Sequence, residues 1–112
     1  MTVSTHVLDA TAGTPAAGVP VSLSLRSGAG WLPVESGETG TDGRHRFGAV
    51  TEPGEYRLTF GTGRYFAACG VATFYPEVTI TFTIPGGPGP AGGHYHVPLL
   101  LSPFGYSTYR GS

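Results

Sequence analysis

Three stretches of the chain hold the side chains whose types and spacing can do chemistry. They are His6, Arg44-His45-Arg46 and His94-Tyr95-His96. On a strand, His94 and His96 point to one side, the spacing of a two-histidine metal site. No carboxylate or cysteine lies nearby in sequence to complete such a set, and the glycines before His94 read equally well as a loop ending. His6 is open to two readings, a site residue or an ordinary surface histidine on a strand. Arg44 follows a glycine turn, where a solvated charge at a strand edge is the plain reading. His45 and Arg46 have the same plain reading, and at most two of these three can share a face. Cys69 sits in an apolar helical turn and is expected in the core, because a nucleophilic thiol needs an activating partner. The chain has no glycine-rich phosphate loop, serine elbow or paired-carboxylate spacing.

The elements that must position these residues are short strand-like runs between turn residues, the pattern of an antiparallel β-sandwich or barrel. Val3 to Asp9 places His6 and Leu8 on one side and Val3 and Val7 on the other. Val19 to Arg26, Glu55 to Phe60 and Val78 to Ile84 alternate apolar and polar residues. Trp31 to Ser36 follows Gly28-Ala29-Gly30 as the second arm of a hairpin, and Thr41-Asp42-Gly43 turns into a short strand from Arg44 to Phe47. Arg64 to Cys69 reads as a short helix stopped by Gly70. A Pro/Gly-rich loop from Pro85 to Gly93 leads to a strand from His94 to Leu101, and Tyr106 to Arg110 is the last. The count is about eight strands and one helix, in a single domain spanning residues 1–112.

In the His94 to Leu101 run, His94, His96, Pro98 and Leu100 share one side. Leu99-Leu100-Leu101 therefore puts leucine on both faces, which calls for cover on both. With no second layer of helices available, another copy of the same chain is the expected cover. Leu8, Pro98 and Leu100 would form the apolar strip beside the histidines.

Composition narrows the function classes. Gly (19) and Pro (10) are abundant, but 39% hydrophobic and 12% aromatic residues argue for a packed core rather than disorder. Charged residues are 12% and the formal net charge is −1, so neither a basic nucleic-acid footprint nor a polybasic membrane patch is expected. No apolar stretch is long enough to span a bilayer, and the first residues lack the pattern of a signal peptide. One cysteine fits a reducing compartment, so a cytoplasmic location is expected.

The stretch from His96 to Ser112, His-Val-Pro-Leu-Leu-Leu-Ser-Pro-Phe-Gly-Tyr-Ser-Thr-Tyr-Arg-Gly-Ser, resembles the ending of the 5-hydroxyisourate hydrolases, the transthyretin-related enzymes of urate breakdown. Thr5-His6-Val7-Leu8-Asp9, the Gly13 to Val19 segment, Thr41-Asp42-Gly43-Arg44 and Tyr75-Pro76-Glu77-Val78 resemble the same family in order and spacing. The resemblance separates this chain from transthyretin itself. That hormone carrier has a lysine at the His6 position, an acidic residue at the Arg44 position and a threonine at the His96 position.

The resemblance implies an all-β, transthyretin-like sandwich of two four-stranded sheets with one short helix. It implies a homotetramer whose active sites lie in a channel where two dimers meet. The implied reaction is hydrolysis of a ring amide of 5-hydroxyisourate to 2-oxo-4-hydroxy-4-carboxy-5-ureidoimidazoline, with no metal and no organic cofactor. His6, Arg44 and His96 are the implied catalytic residues, and His6, Arg44, Tyr109 and Ser112 the implied substrate-binding ones. An imidazole can take a proton from water and return it. Arginine's planar fork suits a flat, oxygen-rich ring or a developing oxyanion. Which histidine is base and which acid stays open, and His94 has no implied role. The alternative is a non-catalytic small-ligand carrier on the same scaffold, because fold alone does not imply function.

Overall fold

The computed structural model describes residues 1–86 and 93–111, so most of the expected Pro85 to Gly93 loop and Ser112 lie outside the described residues. Two sheets face each other across one apolar core. One sheet has the order β4 (Gly30–Glu38), β3 (Pro20–Ser27), β6 (Gly54–Phe60) and β7 (Val78–Ile84), antiparallel throughout. Its strands bury alternate residues: Val21, Leu23 and Leu25 from β3, Tyr56, Leu58 and Phe60 from β6, and Val78 and Ile84 from β7. Burying a large aliphatic or aromatic side chain contributes roughly 1.5–3 kcal/mol, so this repeated inward face dominates the sheet's stability.

The second sheet is built around β1 (Thr2–Asp9). On one side β1 pairs antiparallel with β5 (Arg44–Phe47) and with the two-residue β2 (Thr14–Pro15). On the other it pairs with β8 (His94–His96) and β9 (Leu99–Ser102), and here the pairing is parallel. The hairpin partner β10 (Gly105–Thr108) completes the sheet beside β9. The sandwich expected from the sequence is therefore present, antiparallel except where β1 meets β8 and β9.

The expected single strand from His94 to Leu101 is two strands. Pro98 has no N–H for the ladder, so pairing breaks at Val97-Pro98. Two hydroxyls repair the break: Thr5 Oγ1 donates to the Val97 carbonyl at 2.7 Å and Thr108 Oγ1 to the Pro98 carbonyl at 2.7 Å. Leu99 and Leu101 point into the core while Leu100 is half-buried on the outer face, as alternation requires. Pro98 is a correction to the expected apolar strip, because it is already buried within the single chain.

The helix α1 runs Thr62–Ala68, with Cys69 as C-cap and Gly70 immediately after it. Its buried residues are Thr62 and Phe66, one turn apart on one side. Cys69 is exposed, not in the core as expected. It is the C-cap, one residue past the last helical position, and its neighbours Ala67, Ala68 and Gly70 are exposed with it. Tyr65 ties α1 to β1: its hydroxyl donates to Asp9 Oδ2 at 2.8 Å, while Asp9 Oδ1 accepts from the backbone of Thr11 and Ala12. Burial, reinforced by the Asp9 carboxylate, pushes the Tyr65 hydroxyl above its usual range.

Candidate active site

Strand β1 has two unlike faces. Val3, Thr5, Val7 and Asp9 are buried between the sheets, whereas Thr2, Ser4, His6 and Leu8 lie half-buried on the outer face. Register then decides what joins that outer face. His6 is the direct neighbour of Arg44 on β5, and Ser4 is the neighbour of both Arg46 on β5 and His96 on β8. Thr2 stands beside His94. Cross-strand neighbours share a face, so one outer surface gathers His6, Arg44, Arg46, His94 and His96.

Each is set by local chemistry. Arg44 begins β5 directly after the Thr41-Asp42-Gly43 turn, where Asp42 Oδ1 accepts a hydrogen bond from the Arg44 backbone N–H at 3.0 Å. Gly43 has φ +76, and a Cβ there would overlap the Val7 carbonyl. Only glycine lets this turn press against β1, with Val7 N–H donating to the Gly43 carbonyl at 2.8 Å. The turn thus docks β5 in the one register that puts Arg44 beside His6. Of the three consecutive candidates, Arg44 and Arg46 take the outer face. His45 turns the other way, edge-on to the Phe47 ring at 4.6 Å, with Nδ1 donating to the Glu38 carbonyl and Nε2 3.8 Å from Glu35 Oε2.

His96 is held on two edges of its ring. Ser4 Oγ lies 2.8 Å from Nδ1. The opposite edge is covered by the chain end: Gly111 N–H donates to the His96 carbonyl at 2.9 Å, and a Cβ on Gly111 would overlap the ring at Cδ2. Nε2 is the one ring nitrogen of His96 left to face a substrate. Burial, then the positive charge of Arg44, with His94 and His6 adding to it, holds this imidazole below its ordinary range, against a weaker opposing effect from Ser4. At neutral pH His96 is therefore the uncharged form, which accepts protons.

His94, without a role in the sequence reading, is tied into the same row. Thr2 Oγ1 hydrogen-bonds its Nδ1, and Ser4 Oγ lies 2.9 Å from its Nε2. Among the described residues no three His, Cys, Asp or Glu side chains come close enough to hold a metal ion. The Ser4 hydroxyl sits between the two nitrogens that a His94–His96 metal site would offer.

β10 ends at Thr108, so strand alternation does not reach Tyr109. Thr108, Tyr109 and Arg110 in succession line a groove of about 340 Å³ with Ile80, Phe82 and His96, and the Arg110 guanidinium sits 5.4 Å from the Tyr95 ring centre. His96 forms part of both this groove's wall and the outer face. Ser112 lies outside the described residues. Arg46, given the plain reading of a solvated charge, shares the outer face with Arg44. The residue missed by sequence reasoning is Ser4, because a lone serine on a strand carries no motif.

Known proteins resemble the chain over nearly its whole length. The HIUase/Transthyretin family profile matches residues 3–111. The 5-hydroxyisourate hydrolase of Salmonella dublin is 45% identical, over 97% of this chain and 79% of its own length. The solved 5-hydroxyisourate hydrolase of Klebsiella pneumoniae superposes with a TM-score of 0.85 at 40% identity, over 100% of both chains. Transthyretin from Sparus aurata superposes equally well, with a TM-score of 0.85, at 33% identity over 97% of this chain and 95% of its own. Backbone shape does not distinguish the two branches, whereas sequence favours the first. The chain belongs to the HIUase/Transthyretin family, and within it to the 5-hydroxyisourate hydrolase side.

Proposed function

We propose that this protein hydrolyses 5-hydroxyisourate to 2-oxo-4-hydroxy-4-carboxy-5-ureidoimidazoline on the outer face of β1, with His6, Arg44 and His96 as catalytic residues. The observation that carries the reading is the convergence of His6, Arg44 and the neutral His96 imidazole on one face across three strands. Water adds to the ring carbonyl carbon as His96 Nε2 takes its proton. Arg44 donates to the carbonyl oxygen as negative charge develops there. The carbon–nitrogen bond then breaks, and His6 delivers a proton to the departing nitrogen. The product retains every substrate atom plus one water, so no oxidant or cofactor enters the balance.

Tyr109 and Ser112 are proposed as substrate-positioning groups. The tightly docked Gly111 supports this, since it brings the chain end against His96. The assembly is proposed to be a homotetramer with the sites at the dimer–dimer interface. Half-buried Leu8 and Leu100 flank the histidines. Phe74, Phe104, Tyr106 and Tyr109 stand exposed, more aromatic surface than a solitary small domain usually leaves uncovered. No helix among the described residues is long and apolar enough to cross a membrane; the working location is proposed as the cytoplasm.

The test generates 5-hydroxyisourate in situ and follows its decay with and without protein, alongside light scattering. Faster decay from a tetramer, insensitive to chelator, is expected. Spontaneous-rate decay with an intact tetramer would overturn the enzyme reading in favour of a carrier. A fully active monomer would overturn the interface placement alone.

A further inference from the structure

The Ser4 hydroxyl stands between His94 Nε2, at 2.9 Å, and His96 Nδ1, at 2.8 Å. We infer that Ser4 and His94 are positioning residues that hold His96 in the tautomer able to act as a base, and that protonation of His94 turns this arrangement off. The inference rests on the reading of His96 as the base.

A serine hydroxyl has one proton to donate and lone pairs with which to accept. Set between two imidazole nitrogens, it donates to one and accepts from the other. If Ser4 donates to His94 Nε2, it accepts from His96 Nδ1–H, and His96 Nε2 carries the free lone pair. Thr2 then accepts from His94 Nδ1–H, which closes the row with every group paired. If Ser4 donates to His96 instead, the His96 proton moves to Nε2, the nitrogen that faces the substrate, and the ring cannot take a proton from water. Gly111 covers the other edge of the His96 ring, so the ring cannot turn over to escape this choice.

The charge of His94 makes the choice. Neutral His94, protonated on Nδ1, offers Nε2 as an acceptor, and Ser4 points toward it. Once His94 takes up a second proton, both its nitrogens are donors. Ser4 then accepts from His94, and its own proton, released from His94 Nε2, is free to turn to His96 Nδ1. Other charged or titratable groups face this row: His6 on β1, Arg44 and Arg46 on β5, the Asp42 carboxylate in the turn before β5, and Arg110 beyond β10. None of them touches both imidazoles, as the Ser4 hydroxyl does.

The experiment uses the full-length protein with nitrogen-15-labelled histidine, read by NMR, together with kcat/KM against pH. Wild type is expected to show His96 as the Nδ1–H tautomer near neutrality, converting as His94 titrates, and to lose activity in acid with a limb steeper than one proton. Ser4→Ala should give a tautomer mixture at His96 and lower kcat by about 10-fold with little change in KM. Ser4→Thr, which restores the hydroxyl, should recover the Nδ1–H signal and most of that loss. His94→Gln, a neutral side chain that can still accept from Ser4, should keep the Nδ1–H tautomer while the acid limb becomes one proton shallower. An unchanged His96 tautomer in Ser4→Ala, or an unchanged acid limb in His94→Gln, would overturn the inference while leaving wild-type hydrolysis in place. Absence of hydrolysis in wild type would instead strike the functional reading, with the NMR arm still deciding the tautomer.

Discussion

The two sheets solve different problems with the same kind of strand. In the four-stranded sheet β3, β6 and β7 pair over long, uninterrupted registers, and their inward residues fill the core. Its outer surface is ordinary: serines and threonines, and Trp31 flanked by Arg26 and Arg57 at 4.9 and 4.4 Å from the ring centre. The β1 sheet is assembled from short pieces, contains the parallel pairing, and is interrupted at Pro98. Yet its outer surface gathers two arginines and three histidines. One sheet keeps the ladders of β3, β6 and β7 continuous; the other accepts a broken ladder in return for bringing residue 4 beside residue 96. Stability and chemistry are thus partly separable in this molecule.

That separation can be broken or confirmed by substitution. His96→Ala and His6→Ala should each lower kcat/KM by roughly 100-fold or more, the scale of lost general acid–base catalysis. Melting temperatures should stay close to wild type, because both side chains sit on the outer face. Leu58→Ala, deep in the other sheet, should do the reverse. It is expected to cost about 2–5 kcal/mol of folding free energy, seen as a lower denaturant midpoint, with turnover per folded molecule unchanged. Equal losses of stability and turnover in both sets would abolish the distinction between the sheets.

Gly111→Ala tests where the chain end belongs. A methyl group there overlaps the His96 ring, so either the tail or the ring must shift. A fall in kcat of about 10-fold is expected, with little change in melting temperature, since only the end of the chain is displaced and a 1 Å misplacement can cost as much or more. Unaltered turnover would mean that the tail is a passive finish to β10.

The smallest effect is one of pH. His96 is held below its ordinary range by burial and by Arg44. The unfolded chain therefore binds a proton at higher pH than the folded one does. The stability contributed by neutral His96 is complete above the ordinary imidazole range of about 6.5 and is lost as pH falls through its lower folded value. Unfolding midpoints measured on acidification should drop less for His96→Gln than for wild type.

What the sequence made legible follows from range. Alternation over β3, β6 and β7 is a local signal enforced by one buried face, and Val78 to Ile84 matches to the residue. The Thr41-Asp42-Gly43 turn and the Gly70 stop are equally local. Parallel pairing of β1 with β8 is not local, and no period within either strand encodes it. Cys69 was misplaced for a related reason: an apolar neighbourhood in sequence does not say which side of a seven-residue helix is covered. The histidines and Arg44 were visible as motifs, and Arg46 as the charge two residues on, whereas Ser4 became meaningful only when register put it beside His96.

The long span between the partners of β1 also bears on the order of events during synthesis. The four-stranded sheet is complete in the chain by Ile84, whereas β1 gains its parallel partners only when His94 to Ser102 have emerged. At roughly 5–20 residues per second, β1 waits several seconds with one flank unpaired, while β5 and the two residues of β2 cover only the other. The scaffold is thus nearly finished before His94 and His96 can join His6 and Arg44 on one face.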